Sequence, residues 1–156
     1  MDFQIKPLPA ADFAPLFALS DDALAARKAC RMTVTETPGT PCRVSLQDAE
    51  IGERVILTNY MHQPGDSPYQ STHAVFVREN AMQAAPVVNE IPAVISTRLI
   101  SLRLFDQIHM MVAADVIPGE EVADAISAAF TDAEIAYAHL HIAKPGCFAA
   151  SAHRVD

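Results

Sequence analysis

The apolar residues of the chain fall into short runs that are separated by prolines, glycines and polar clusters. Several runs alternate apolar with polar positions or are rich in β-branched residues, and both patterns are typical of strands. We therefore predict a largely antiparallel sheet. Its candidate strands lie at 3–5, 32–36, 42–46, 54–60, 74–79, 94–105, 109–117 and 135–143.

Two pairs of these runs lie close enough along the chain to form hairpins. Residues 42–46 and 54–60 flank a turn around Gly52, which predicts that they pair with each other. Residues 94–105 and 109–117 are joined through a short Asp-Gln segment, which predicts a second, tighter hairpin.

Helical patterns occur near the N-terminus and late in the chain. A short helix is predicted within 11–19, and another runs from the N-cap residue Ser20 to about Ala29. The third, at about 119–130, places four apolar residues on one face: Val122, Ile126, Ala129 and Phe130. Since strands precede and follow this helix, they are predicted to form a crossover unit. The fold class predicted is α+β.

Composition narrows the class of protein. A chain of 156 residues with 51% hydrophobic residues fits one domain over 1–156 with a sizeable core. The net charge of −8 disfavours nucleic acid as a partner, because phosphate backbones are also negative. The first residues lack the basic region and the continuous apolar run of a signal peptide, so we expect none. No apolar run is long enough to span a membrane. Three cysteines without an export signal indicate reduced thiols, so we expect a soluble cytoplasmic protein.

One strand carries the most distinctive chemistry. Side chains alternate between the two faces of a strand, so Tyr137, His139 and His141 are expected on the same face. Two imidazoles at this spacing can bind one divalent metal ion, the only cofactor that the sequence suggests. The alternative is a pair of histidines that only form hydrogen bonds with their neighbours. A third ligand is left open among His62, His73, His109, Asp66, Asp115 and Cys147.

The polar segment 59–73 lies between two strong strands and is rich in hydroxyl and amide groups. Long connections on a rigid scaffold often bind ligands, although an ordinary connector with a turn is the alternative. We expect a small-molecule site to draw on this segment and on two other strands. The candidate ligand-binding residues are Arg43, Tyr60, His62, Tyr69 and Tyr137.

Two residues are candidates for catalysis. His141 is a candidate general acid–base, because the ordinary pKa of histidine lies near neutrality. Cys147 follows a Pro-Gly bend after the histidine strand and is a candidate nucleophile, if a neighbouring histidine activates it. The alternative for Cys147 is ordinary packing as a small apolar side chain.

Five segments resemble those of an uncharacterised bacterial family, domain-of-unknown-function family 1203. They are PCRVSL at 41–46, GE at 52–53, SPY at 67–69, FVRE at 76–79 and KPGCFAA at 144–150. The resemblance extends over nearly the whole chain, which agrees with one domain. It implies no activity and no functional residues.

Two hypotheses about function follow. In the first, the chain is a small-molecule-binding domain or enzyme whose histidine site lies between the 61–73 loop and the 137–147 strand and turn. In the second, it is a non-catalytic interaction module that forms a homodimer. The homodimer would pair through the apolar runs at 94–105 and 109–117 or through the helix at 119–130.

Overall fold

Eight strands form two antiparallel sheets in the computed structural model, which describes residues 1–155. The sheets and a few short helices make an α+β fold, as predicted. The strands are β1 (Phe3–Lys6), β2 (Ala29–Thr33), β3 (Arg54–Gln63), β4 (Ser71–Arg78), β5 (Leu99–Phe105), β6 (Met111–Pro118), β7 (Tyr137–Ile142) and β8 (Phe148–Arg154). The α-helices are α1 (Asp21–Ala25), α2 (Ala93–Ser96) and α3 (Val122–Ala129).

The larger sheet has the order β1-β8-β7-β5-β6, so β7 is its central strand. Helix α3 covers one face of this sheet, because its apolar side chains pack against those of the central strands. This main core includes Phe3, Ile5, Val122, Ile126, Phe130, Ala138 and Leu140. Strands β6 and β7 lie on either side of β5, and each is antiparallel to it, so β6 and β7 run parallel to each other. Helix α3 connects them, which is the predicted crossover unit.

The smaller sheet, β2-β3-β4, packs against the other face of the larger one. A second apolar cluster joins them, since Phe148 of β8 packs with Val75 and Val77 of β4. The opposite face of β7 is therefore enclosed between the two sheets. Of the helices formed by residues 1–155, none has the length and apolar character needed to cross a membrane.

One of the two predicted hairpins is confirmed and the other is wrong. Strands β5 and β6 pair along their whole length, with Leu99 opposite Pro118 at one end and Phe105 opposite Met111 at the other. Residues 42–46 form no hairpin with 54–60, because β3 pairs instead with β2 and β4. The short segment turns at Leu46, where φ is 53°, and makes only isolated bridges.

The N-terminal helix is shorter than predicted. The Ser20 hydroxyl accepts a hydrogen bond of 3.2 Å from the Ala23 amide, as expected of an N-cap. The helix nevertheless ends at Ala25, and the prediction that it reaches Ala29 is wrong. Lys28 has a φ of 55°, which redirects the chain so that Ala29 opens β2. Residues 11–19 form 3₁₀ turns rather than an α-helix.

Two differences from the predicted strands affect the site. Strand β3 continues to Gln63, three residues beyond its predicted end, so His62 lies in a strand rather than in the polar loop. Strand β8, which was not predicted, follows the Pro-Gly turn and pairs with β7. The helix predicted at 119–130 is confirmed as a 3₁₀ turn over Gly119–Glu121 followed by α3.

Candidate metal centre

The two histidines of β7 lie in the centre of the fold. His139 and His141 are 5% and 1% exposed, because β7 is the central strand and the smaller sheet covers this face. Ala138 and Leu140 point the other way, into the main core beneath α3. The alternation therefore separates an apolar face from a histidine-bearing face, as the sequence indicated.

His62 of β3 completes a cluster of three imidazoles across the two sheets. Its ring centroid lies 5.0 Å from that of His141 and 6.0 Å from that of His139. One ring nitrogen from each histidine lies within 4.8 Å of the other two. The His62 ring stacks on Phe148 at 5.3 Å, which fixes it against β8. A register shift in β3 between Tyr60 and Gln63 accompanies this placement.

Three nitrogens of this cluster have no hydrogen-bond partner within residues 1–155: His62 Nδ1, His139 Nδ1 and His141 Nε2. An unpaired buried polar atom costs about 1–3 kcal/mol. A ligand that binds these three atoms would remove this cost. The other nitrogen of His141, Nδ1, donates to the Gly146 carbonyl oxygen at 2.9 Å. This bond places the proton on Nδ1 and leaves the lone pair of Nε2 available.

The cluster is uncharged at neutral pH. Burial lowers the pKa of His139 and His141 to about 3, and that of His62 to about 4. Neighbouring histidines and Arg103 lower these pKa values further, because each would be a second positive charge nearby. Neutral imidazole is the form that binds metal ions, so no proton has to leave before a metal enters.

The cluster fits a divalent transition metal. Nitrogens that bind one tetrahedral zinc ion lie about 3.4 Å apart. From separations within 4.8 Å, rotation of the side chains can bring them to that distance. Three imidazoles without a carboxylate favour zinc, copper, nickel or iron over magnesium or calcium. The hydrogen bond from His141 to Gly146 is typical of the contacts that orient a metal-binding histidine.

A cavity of about 280 Å³ adjoins the three histidines. Tyr69 of the polar segment lines it, and the Tyr69 ring lies edge-on to that of Phe105, with the two centroids 6.2 Å apart. Arg103 of β5 also lines the cavity and pairs in register with His139. Its other lining residues are Gln63, Pro68, Gln70, Ser71 and Met111.

The structure brings some of the predicted site residues together. His62 and Tyr69 share the cavity with His139 and His141, where the 61–73 segment meets β7. Tyr137 lies beside it, and its hydroxyl is within 2.9 Å of both Gln63 Nε2 and His109 Nδ1. Of the candidates for a third ligand, His62 is the one that joins the cluster formed by the described residues.

Other predicted residues lie elsewhere. Tyr60 donates a hydrogen bond of 2.6 Å to Asp12, and burial together with this carboxylate raises its pKa. Cys147 and Arg43 line a separate cavity of about 780 Å³ on the far side of the Pro-Gly turn. That Tyr60 binds a ligand and that Cys147 is a nucleophile stay predictions.

Arg43 is buried and forms an internal hydrogen-bond network. Its guanidinium donates to the carbonyl oxygens of Phe148 at 2.7 Å and Pro41 at 2.5 Å, and to Cys147 Sγ at 2.7 Å. Only 1% of the residue is exposed. Its binding of a ligand anion stays a prediction, and these contacts give that prediction no support.

Sequence reasoning missed Arg103 and Gln63 as residues of the site. A signal for Arg103 was present, since an arginine in the apolar run 94–105 needs a polar environment. Which environment it reaches depends on the pairing of β5 with β7, and the sequence does not reveal that pairing. Gln63 was assigned to the loop because the length of β3 was underestimated.

The chain belongs to the family described as "Protein of unknown function (DUF1203)", whose model matches residues 39–154. The matched segment includes all three histidines of the cluster and both strands that carry them. The resemblance noted from the sequence is thereby confirmed. No curated protein and no solved structure matches the chain.

Proposed function

We propose that this chain is a metal-binding domain whose three-histidine centre, His62, His139 and His141, binds a divalent transition metal for small-molecule chemistry. The observation that carries the proposal is a buried cluster of three imidazoles from two sheets within residues 1–155. One nitrogen of each ring lies within 4.8 Å of the other two, and each ring has one nitrogen without a hydrogen-bond partner there. Three protein ligands leave a coordination position open, as in catalytic rather than structural zinc sites. A metal held there would supply Lewis-acid chemistry.

The protein orients the proposed metal ligands. Gly146 fixes the ring of His141, and Phe148 stacks on the ring of His62. With its Nε2 lone pair directed to a metal, His141 acts as a ligand rather than as the general acid–base first expected. The cavity between the 61–73 segment and β7 is where a small molecule would meet the metal.

Zinc titration tests the proposal. EDTA-treated protein is expected to bind one Zn²⁺ per chain by calorimetry and to be stabilised by about 2.7 kcal/mol at 100 times its Kd. Loss of a hydrogen bond that only orients a metal ligand typically weakens metal binding about 10- to 100-fold, and loss of the ligand itself should weaken it at least as much. We therefore expect His62→Ala, His139→Ala and His141→Ala each to weaken it by about 100-fold or more.

His73→Ala is the matched control, since His73 lies in β4 but lines the other cavity. It should bind zinc as the unmodified protein does. Absence of stoichiometric binding to the unmodified chain, with zinc, cobalt, nickel and copper each tried, would refute the proposal. So would binding that survives all three substitutions in the cluster.

A second candidate function is the homodimeric interaction module, favoured by one observation. Strand β6 is an edge strand whose Val112 and Val116 are 38% and 54% exposed, and exposed apolar edge strands tend to pair.

We expect a second copy to pair with β6 if this function holds. Light scattering at high concentration would then give twice the chain mass, and Val116→Lys would restore the monomer. Val87→Lys, at an exposed valine outside the sheets, is the control. A monomer at every concentration rejects this candidate.

A further inference from the structure

We infer that Arg103 makes the three-histidine centre an anion site, and that the small molecule bound there is a small oxyanion such as a carboxylate. This inference rests on the proposed metal function and adds the chemical class of the ligand. It follows from the position of one arginine, from the charges that surround it and from the size of the cavity.

Arg103 is directed along the histidine-bearing face. It pairs in register with His139, and its neighbour two residues earlier, Ser101, pairs with His141. The Nε atom donates to Ser101 Oγ at 3.2 Å, which draws the guanidinium toward the cluster. The side chain is half-buried, and burial lowers its pKa because it removes part of the water that would stabilise the charge.

Arg103 differs from the arginines that form ion pairs. In the described part of the chain, four arginines contact a carboxylate: Arg31, Arg54, Arg78 and Arg98. Arg103 has no such partner among residues 1–155, and its one side-chain hydrogen bond there is to the Ser101 hydroxyl. Its two terminal nitrogens, the fork that recognises carboxylates, are therefore left for an external acceptor.

The cavity has no acidic residue among the described residues that line it. The protein as a whole has a net charge of −8, so this absence is a local departure from its composition. A divalent metal beside Arg103 would bring three positive charges to three neutral histidines. Such a concentration of charge in a partly buried site is favourable only when an anion offsets it. The metal and the guanidinium together would bind that anion.

The ligand is small and oxygen-bearing. A cavity of about 280 Å³ lies just below the range of about 300–1,000 Å³ that is typical of drug-sized ligands. A guanidinium fork matches the paired oxygens of a carboxylate or a similar oxyanion. Tyr69, at the mouth and 38% exposed, could donate a further hydrogen bond as the ligand enters.

The test uses the cobalt-loaded full chain and acetate as the probe. Cobalt binding is measured first, by its visible absorption, and acetate is then titrated while the same absorption is followed. Acetate should change the spectrum in a saturable manner, whereas acetamide, its neutral analogue, should not. Arg103→Gln should weaken acetate binding by about tenfold or more, because charge-assisted hydrogen bonds are lost.

Cobalt affinity separates failure of the inference from failure of the proposed function. Arg103→Gln should bind cobalt as tightly as the unmodified chain or more tightly, since a nearby positive charge is removed. Arg54→Gln, at an exposed arginine, should leave both cobalt and acetate binding unchanged. Arg103→Lys keeps the positive charge but not the two parallel donors of the guanidinium, so it should bind acetate with intermediate affinity. Such binding would also show that the fold tolerates a substitution at position 103.

Two results would overturn the inference while leaving the metal function intact. One is normal cobalt binding with no response to acetate. The other is an acetate response that Arg103→Gln does not weaken. If the unmodified chain binds none of cobalt, zinc, nickel and copper, the proposed function is overturned, and this inference with it.

Discussion

Arg43→Met is expected to lower the free energy of unfolding by about 2–5 kcal/mol, measured by urea denaturation at neutral pH. The substitution keeps an unbranched side chain but removes every donor. The carbonyl oxygens of Pro41 and Phe148 would lose the hydrogen bonds that Arg43 makes to them in the interior. Since a typical domain is stable by only about 5–15 kcal/mol, this is a large fraction of the total.

The contacts of Arg43 explain why the effect should be large. The residue joins segment 41–43 to the first residues of β8, across 105 positions of sequence. Burial lowers the pKa of its guanidinium, and the sulfur of Cys147, in contact at 2.7 Å, opposes that shift. The charge is thus held by carbonyl oxygens and sulfur in place of a carboxylate, a network that a shorter or neutral side chain cannot reproduce.

Arg54→Met is the matched control for this experiment. Arg54 pairs with Glu79, but 59% of its side chain is exposed, and exposed ion pairs contribute about 0–1 kcal/mol. Arg43→Lys should also be destabilising, since an ammonium cannot reach three separate acceptors. If Arg43→Met unfolds at the same urea concentration as Arg54→Met, the internal network contributes nothing measurable.

The histidine face of β7 could be predicted because it depends on local geometry alone. The period of two in a strand places His139 and His141 together whatever the strand packs against. The same alternation places Ala138 and Leu140 on the opposite face, where they pack in the main core. The β5–β6 hairpin was predictable for a similar reason, since its strands are neighbours along the chain.

The third histidine could not be predicted with the same reasoning. His62 reaches the other two because the smaller sheet packs on the larger one, and no local pattern specifies that contact. The sequence suggested a boundary at residue 60, since proline and glycine follow soon after, but strand pairing with β4 carries β3 on to Gln63. The strands that carry the histidines can thus be predicted from local sequence, whereas the meeting of three histidines from two sheets depends on tertiary packing.

Arg43 shows a second limit of sequence reasoning. The charged residue in the alternating segment 42–46 was interpreted as a strand residue that binds a ligand. Its side chain instead finds acceptors on β8, and this long-range contact accompanies a compact turn where a hairpin was expected. The burial of Arg43 was not predictable, because a buried arginine satisfied by main-chain carbonyls has the same sequence pattern as an exposed one.

The free energy of unfolding of the metal-free protein is expected to fall as the pH is lowered from 7 to 5.5. The pKa of His62 is about 4 and those of His139 and His141 about 3 in the folded state, against about 6.5 in the unfolded chain. Unfolding below pH 6.5 therefore takes up protons, and the stability present above that pH is lost as the pH falls toward the folded pKa values. Each proton taken up contributes about 1.4 kcal/mol per pH unit, so the three cluster histidines contribute at most about 4 kcal/mol per pH unit. Burial also lowers the pKa of His153, which adds to the slope in the same direction.

Urea denaturation with a chelator present, at intervals between pH 7.5 and 5.5, measures this slope. The interval lies above the ordinary range of carboxyl pKa values, so histidines dominate it. His139→Gln should reduce the slope by about one proton, because the amide does not titrate. His73→Gln should reduce the slope less than His139→Gln does, since His73 lies outside the cluster, lines the other cavity and acts on His62 and His141 only through its charge. A stability that does not change over this interval would mean that the three rings are protonated as readily in the folded protein as in water, and that the cluster is not buried in neutral form.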